Sequence, residues 1–325
     1  MRVLVWQETF WPYVGGIEVL APKLFSALKQ RGYEIIVVTR QDSPDLAEQE
    51  DYQGIRIYRF PFWTVLNSAN LGEVIELRSR VAELKRAFAP DLVHLNSFGP
   101  SVVLHHDTAI ACGAPLLVTL HTTPQHMNAG SLGRDGLFGK TLRKADWVTC
   151  VSKAVLTQVR QLVPEVATYS SVAYTGLVAP AFFPDPLPTN PPRLLCLGRL
   201  VPEKGFDLAL KAFASIVDRF PSARLVIAGD GPARSFLENQ ATELGLQHCV
   251  EFVGWVTPER VPELINTATV VIMPSRNEGL GSVALEAALM ARPIVAARVG
   301  GLPEIVLHRK TGLLVDDGDQ EALAE

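Results

Sequence analysis

Residues 192–205 read Pro192-Arg193-Leu194-Leu195-Cys196-Leu197-Gly198-Arg199-Leu200-Val201-Pro202-Glu203-Lys204-Gly205. Leu194–Leu197 is a short unbroken apolar run, the pattern of a strand buried on both faces of a parallel sheet. It leads directly into a loop with two glycines and two cations, and loops at the carboxyl ends of such strands are where open α/β sheets bind ligands. Just upstream, six of the thirteen residues from Pro180 to Pro192 are proline (Pro180, Pro184, Pro186, Pro188, Pro191, Pro192), which neither a helix nor a central strand tolerates. This stretch predicts a linker over 181–192, between a domain of residues 1–180 and a second of residues 193–325. On both sides of it, apolar runs alternate with stretches of helical period. Before it they are Val3–Trp6, Ile35–Thr39, Leu92–Leu95, Leu116–Leu120 and Trp147–Val151. After it they are Leu194–Leu197, Leu225–Ala228, Val250–Val253, Val270–Met273, Ile294–Ala297 and Leu313–Val315. Repeated βαβ units on two parallel sheets are the expectation, an α/β fold of two Rossmann-like domains facing each other across a cleft.

Composition agrees. At roughly 150 residues per domain, a length of 325 predicts two domains. With 48% apolar and 20% charged residues, the chain can bury a large core, which excludes disorder. A net charge of −4 gives no overall attraction for nucleic acid. Cys112, Cys150, Cys196 and Cys249 stand at least 38 positions apart without a Cys-x-x-Cys pair, so reduced, mostly buried thiols are expected rather than a zinc site or disulfides. The first apolar run is too short for a signal peptide, and no run approaches the ~18 residues of a membrane span. The expected location is the cytoplasm. Arg78, Arg80, Lys85 and Arg86 on one helix suggest peripheral contact with an anionic membrane, or simply a solvated face.

Four segments carry polar chemistry. Glu8-Thr9-Phe10-Trp11-Pro12-Tyr13-Val14-Gly15-Gly16-Ile17-Glu18 follows the first strand, and Gly15 and Gly16 open a helix running to about Arg31. Such a pair lets backbone amides approach a phosphate, or makes a tight turn. Pro22 is expected in or near the first helical turns. This is not a Gly-x-Gly-x-x-Gly fingerprint, so a nicotinamide enzyme is poorly supported. Beyond Gly198, Arg199 offers a planar fork for phosphate oxygens and Lys204 a point charge, though two solvated cations would read the same. Gly229-Asp230-Gly231-Pro232 admits a flat ligand close to the backbone or makes a turn. The densest run is Met273-Pro274-Ser275-Arg276-Asn277-Glu278-Gly279-Leu280-Gly281-Ser282-Val283-Ala284-Leu285-Glu286. There a helix begins near Ser282, read as its N-cap, with Glu278 on the loop, Glu286 in the early helix and the amides of Leu280 to Ser282 turned to an anion.

In order along nearly the whole chain, these segments resemble the family-four (group 1) retaining glycosyltransferases of the GT-B fold. Phe252–Val256, Ala287–Ala291 and Gly300-Gly301-Leu302-Pro303-Glu304-Ile305-Val306 add to the resemblance, as do Glu278 and Glu286 with seven residues between them. It implies transfer of a sugar from a nucleotide-diphosphate sugar to a hydroxyl acceptor, with no cofactor and no metal. It also implies donor contacts from Gly15, Gly16, Gly198, Arg199, Lys204, Gly229, Gly231, Glu278, Gly279, Leu280, Gly281 and Glu286. In it, Arg199 and Lys204 grip the diphosphate, Glu286 binds the ribose hydroxyls, Glu278 stands beside the donor sugar, and His121 is the strand-end histidine near sugar and acceptor. Two departures stand out: Asn96 occupies a position where relatives often carry a second histidine after His94, and Tyr174-Thr175-Gly176-Leu177-Val178 replaces the commoner Pro-Asn-Gly-Val-Asp. Two alternatives stay open, a nucleotide-sugar epimerase of the same fold and a non-catalytic nucleotide-sugar-binding module. Asp317-Gly318-Asp319-Gln320-Glu321-Ala322-Leu323-Ala324-Glu325 reads as the start of a helix, so a longer natural chain is expected.

Overall fold

The computed structural model describes residues 1–68, 70–124, 133–179 and 184–325; the start of the proline-rich stretch, including Pro180, lies outside the described residues. The chain divides into two compact units, Met1–Val151 with Val155–Ala173, and Ser152–Ala154 with Tyr174–Glu325.

The first unit contains strands β1 (Arg2–Trp6), β2 (Glu34–Arg40), β3 (Gln49–Tyr52), β4 (Ile55–Phe60), β5 (Leu92–Leu95), β6 (Leu116–Leu120), β7 (Trp147–Cys150) and β8 (Ser170–Val172). Its helices are α1 (Gly16–Gln30), α2 (Phe62–Asn67), α3 (Leu71–Phe88), α4 (Val102–Asp107), α5 (Leu137–Lys144) and α6 (Lys153–Leu162), the last beginning in the segment grouped with the second unit. The strands form one sheet in the order β3-β4-β2-β1-β5-β6-β7-β8, parallel except where β3 pairs with β4. Val3, Leu4, Val5 and Trp6 of the central β1 are all buried, as an unbroken apolar run requires when helices cover both faces. Three strands have no such run and went unrecognised. β3 is polar, β4 alternates Ile55 and Ile57 with Arg56 and Tyr58, and β8 is Ser170-Ser171-Val172 at the far edge. β3 and β8 are the edge strands, which pair on one side only and carry a weaker signal, while β4 lies inside the sheet with Arg56 exposed on one face.

Pro22 falls within the first helical turns as expected, and one of the basic residues on α3 is corrected to a buried position. Pro22 is the seventh residue of α1, in its second turn, where it is buried. Of the four α3 cations, one is buried, two are at least partly exposed but paired, and Arg86 is exposed. Lys85 is fully buried, its Nζ donating to the carbonyl oxygen of His105 at 3.0 Å and lying 5.6 Å from the centre of the Trp6 ring. Arg78 pairs with Asp107 at 3.4 Å and Arg80 with Glu48 at 2.8 Å.

The second unit holds β9 (Arg193–Leu197), β10 (Arg224–Ala228), β11 (Val250–Gly254), β12 (Val270–Met273), β13 (Ile294–Ala297) and β14 (Gly312–Val315), all parallel, in the order β11-β10-β9-β12-β13-β14. Its helices are α7 (Phe206–Ile216), α8 (Arg234–Glu243), α9 (Val261–Asn266), α10 (Ser282–Leu289), α11 (Leu302–Ile305) and α12 (Gln320–Ala324). The order reverses between β9 and β12, so the loops after these two strands flank the crevice where doubly wound sheets bind ligands. One face packs Leu195, Val226, Val271 and Met273 against Ile265, Ala284 and Ala287. The other packs Cys196, Leu225, Ile227 and Ile272 against Phe206, Leu210, Phe213 and Leu237. Truncating a buried side chain such as Phe213 to Ala would cost ~3–5 kcal/mol. Ser282 is the first residue of α10, not its N-cap; that place belongs to Gly281, whose φ of 94° is left-handed and which makes no side-chain cap. All four cysteines are free, three of them buried. Among the described residues no helix is long and apolar enough to cross a membrane.

Candidate functional site

The second unit brings several of the predicted residues together. The loops after β9 and β10 run backbone to backbone: the amides of Gly198 and Leu200 each donate at 2.9 Å, to the carbonyls of Ala228 and Asp230 respectively. A Cβ on Gly229 would stand 1.9 Å from the Gly198 carbonyl oxygen, so this glycine is required by the contact between loops, whatever else it admits. Gly231 continues the turn, its amide donating to Asp230 Oδ1 at 2.7 Å. In the β9 loop, Pro202–Lys204 form one 3-10 turn, which carries Lys204 to the loop after β12.

There Lys204 Nζ makes an ion pair with Glu278 Oε1, joining residues 74 positions apart. The same oxygen accepts from Ser275 Oγ at 3.3 Å. Glu278 is only 10% exposed and Lys204 25%. A two-pronged clamp missed by the sequence reading stands beside them: Arg276 donates from both terminal nitrogens to Asp207 at 2.8 Å, and also to the Pro202 carbonyl at 2.7 Å. Burial pushes the Asp207 carboxyl up, but the Arg276 hydrogen bonds and charge outweigh it and hold it below its ordinary value. Arg276 lay inside the quoted run, and the adjacency of β9 and β12 in the sheet is the signal that would have paired it with the first turn of α7.

The Glu278 loop is supported from below by the Gly300-Gly301 motif. A Cβ on Gly300 would lie 1.6 Å from the Glu278 carbonyl oxygen, and one on Gly301 2.6 Å from that of Gly279. Ser152 Oγ donates to the Gly279 carbonyl at 2.7 Å. Glu304 of the same motif is occupied structurally, accepting from the amides of Lys153 and Ala154 at 3.0 and 2.9 Å and from the Tyr174 hydroxyl at 2.8 Å. Leu280 and Gly281 are buried at the start of α10, and Glu286 is half-buried in its second turn. Arg199 is exposed, in the same loop as Lys204, with no ion pair among the described residues. An Asp-x-Asp spacing, Asp317-Gly318-Asp319, follows β14, and there Asp319 caps α12 through the amide of Ala322 at 2.9 Å. No group of three metal-ligating side chains occurs among the described residues. A cavity of about 580 Å³, lined by Asp185, Arg193 and Asn266 among others, opens beside the first residue of β9, at the opposite end of that strand from Arg199 and Lys204.

In the first unit, Gly15 is the extended N-cap of α1 and Gly16 its first residue. The anion standing at this helix start is the chain's own Glu18, which accepts from Thr9 Oγ1 and whose Oε2 would be 2.4 Å from a Cβ on Gly15. The loop before it is pinned. Trp11 stacks on Tyr52 with ring centres 4.2 Å apart, its carbonyl accepts from buried Arg59 at 2.6 Å, and the Tyr13 hydroxyl donates to Asp42 at 2.6 Å. Glu8 Oε1 accepts from the amide and hydroxyl of Ser101, while Glu8 Oε2 is buried without a hydrogen-bond partner among the described residues. Burial therefore raises the Glu8 carboxyl, with the Ser101 bonds opposing. His121 follows β6, its Nε2 3.1 Å from Asn96 Oδ1, and burial pushes its ring down to about 4, against the bond to Asn96. His94 Nε2 lies 2.7 Å from Thr119 Oγ1; burial, then the neighbouring His121, lower it to about 3. Both rings are neutral at neutral pH.

Comparison with known proteins gives a consistent result. Residues 180–325 match the family described as Glycosyl transferases group 1, and residues 14–177 match Glycosyltransferase Family 4. The chain is 28% identical to an uncharacterized glycosyltransferase of Methanocaldococcus jannaschii, over 97% of this chain and 85% of that one. It is 30% identical to a D-inositol 3-phosphate glycosyltransferase of Acidothermus cellulolyticus, over 94% and 75%. Among solved structures, Anabaena HepE in complex with UDP and glucose superposes with a TM-score of 0.81 at 25% identity, covering 100% of this chain and 88% of that one.

Proposed function

The chain belongs to the group 1, family-four glycosyltransferases, with the GT-B fold, and from that premise we propose that it moves a sugar from a nucleotide-diphosphate sugar to a hydroxyl acceptor with retention of anomeric configuration and without a metal. The observation that carries this reading is the Lys204–Glu278 ion pair at the β9 and β12 strand ends, with Arg199 in the Lys204 loop. A lysine ammonium has three protons, so while one stays on Glu278 others are free for the oxygens of a diphosphate. Arg199 supplies a second cation, without an ion pair among the described residues. In the transition state the bond from the anomeric carbon to the phosphate oxygen breaks, and negative charge builds on the diphosphate where these cations stand. Positive charge develops on the sugar, which Glu278 faces in this reading, orienting its hydroxyls. The acceptor oxygen bonds to the anomeric carbon and its proton passes to the departing phosphate.

Glu286 would take the ribose hydroxyls. The backbone of Gly198, Gly229, Gly231, Gly279, Leu280 and Gly281 would line the nucleotide and phosphates. The UDP carried by the Anabaena relative supports a nucleoside-diphosphate donor. Peripheral membrane contact has less support, since Arg86 is the only one of the four α3 cations that is neither buried nor paired among the described residues.

Measuring binding across a panel of nucleotide sugars, then the mass and anomeric configuration of products with varied acceptors, tests this reading. Transfer with retention supports it. Epimerisation of donor alone, or binding without any transfer, overturns it.

A further inference from the structure

Gln7, Asn96 and His121 each stand immediately after a strand, and those strands, β1, β5 and β6, are neighbours in the sheet. Gln7 and Asn96 are 0% and 3% exposed. They form one string: Gln7 Nε2 to the Thr9 carbonyl at 2.8 Å, Asn96 Nδ2 to Gln7 Oε1 at 2.8 Å, and His121 Nε2 to Asn96 Oδ1 at 3.1 Å.

The direction of every bond follows from the first. A backbone carbonyl only accepts, so the Gln7 amide must turn its NH₂ to Thr9 and its oxygen to Asn96. That oxygen also only accepts, so Asn96 must donate to it and present its own oxygen to His121. The ring must then carry its proton on Nε2. Held neutral by burial, it has a lone pair on Nδ1. The titratable group coupled to it is His94, itself neutral.

We propose that Gln7 and Asn96 are positioning residues that lock His121 into its Nε2–H tautomer, so that Nδ1 serves only as a hydrogen-bond acceptor for a substrate hydroxyl. Thr9 belongs to the loop that opens α1, so the string also ties the orientation of the ring to that loop. The locking stands on the string alone. Only the role given to Nδ1 rests on the glycosyl-transfer reading.

Long-range ¹H–¹⁵N correlation on ¹⁵N-histidine-labelled protein at pH 7.5 reads the tautomer directly, with His121→Gln assigning the signals. The native protein should show protonated Nε2 and bare Nδ1. Asn96→Leu should give the averaged shifts of two exchanging tautomers. Gln7→Leu does not remove the group that His121 touches, yet it should also release the second tautomer, because the Asn96 amide is then free to turn over. Protonated Nδ1 in the native protein, or an unaltered Nε2–H signature in both Leu variants, would overturn the proposal. In transfer assays Asn96→Leu should lose about tenfold in kcat/KM, the worth of one hydrogen bond. A native protein without transferase activity would remove the role of Nδ1 and leave the tautomer result standing.

Discussion

Removing the Lys204 ammonium separates two consequences that the ion pair joins. In Lys204→Met, Glu278 is left at 10% exposure with the 3.3 Å Ser275 hydroxyl as its hydrogen-bond contact among the described residues. Orphaning a fully buried partner costs ~3–5 kcal/mol, and an exposed pair is worth ~0–1. With Lys204 itself 25% exposed, this pair falls between those limits, at about 1–3 kcal/mol of stability. Catalysis should suffer separately: loss of one charge contact to the leaving diphosphate costs ~100-fold or more in turnover, about 2.7 kcal/mol. Glu278→Gln should also lower turnover. The double variant distinguishes the two effects. It leaves no buried charge, so its stability should exceed the sum of the single losses by about 1–2 kcal/mol, while its turnover stays as poor as that of the worse single variant. Urea unfolding of the four proteins with steady-state transfer assays measures both. Stability losses additive within ~0.5 kcal/mol, together with near-native turnover in the single variants, would refute the reasoning.

Gly300→Ala places a Cβ 1.6 Å from the Glu278 carbonyl oxygen at a φ of 49°, so the Glu278 loop must move. A stability loss of ~1–3 kcal/mol and weakened donor binding are expected by thermal melting and titration. Asp207 has a depressed carboxyl, so its contribution is present above the unfolded value near 3.8 and lost as pH falls through the folded one. Asp207→Asn should therefore flatten the acid limb of the stability curve below about pH 4. Lys85 is lowered from 10.5 to about 8 by burial, so the unfolded chain binds more protons there and stability should rise between those values. The rise, at most ~3 kcal/mol, should be missing in Lys85→Met, and its persistence would count against a buried amine. Chelation should leave transfer intact; loss with rescue by magnesium or manganese would contradict a metal-free mechanism.

Much of the architecture was legible because central strands of parallel sheets are buried on both faces. Leu92–Leu95, Leu116–Leu120, Val270–Met273 and Ile294–Ala297 can be read to the residue from their apolar runs alone. The same argument fails at the edge strands β3 and β8 and at β4, which has one partly solvated face, so burial leaves little mark on their composition. Residue type and order along the chain also singled out Arg199, Lys204, Glu278 and Glu286. What no linear reading contains is distance between residues far apart in the chain. Lys204 meets Glu278, and Arg276 clamps Asp207, because β9 and β12 are sheet neighbours. Likewise, Lys85 read as a surface cation because its helix is basic, and it is buried because it lies on the same face as Leu77 and Val81. Sequence determines which elements form and which chemistry they carry, since propensity and hydrophobic period are local. Tertiary structure decides which groups are spent on one another and which, like Arg199, stay exposed without an ion pair among the described residues, because pairing depends on strand order and packing.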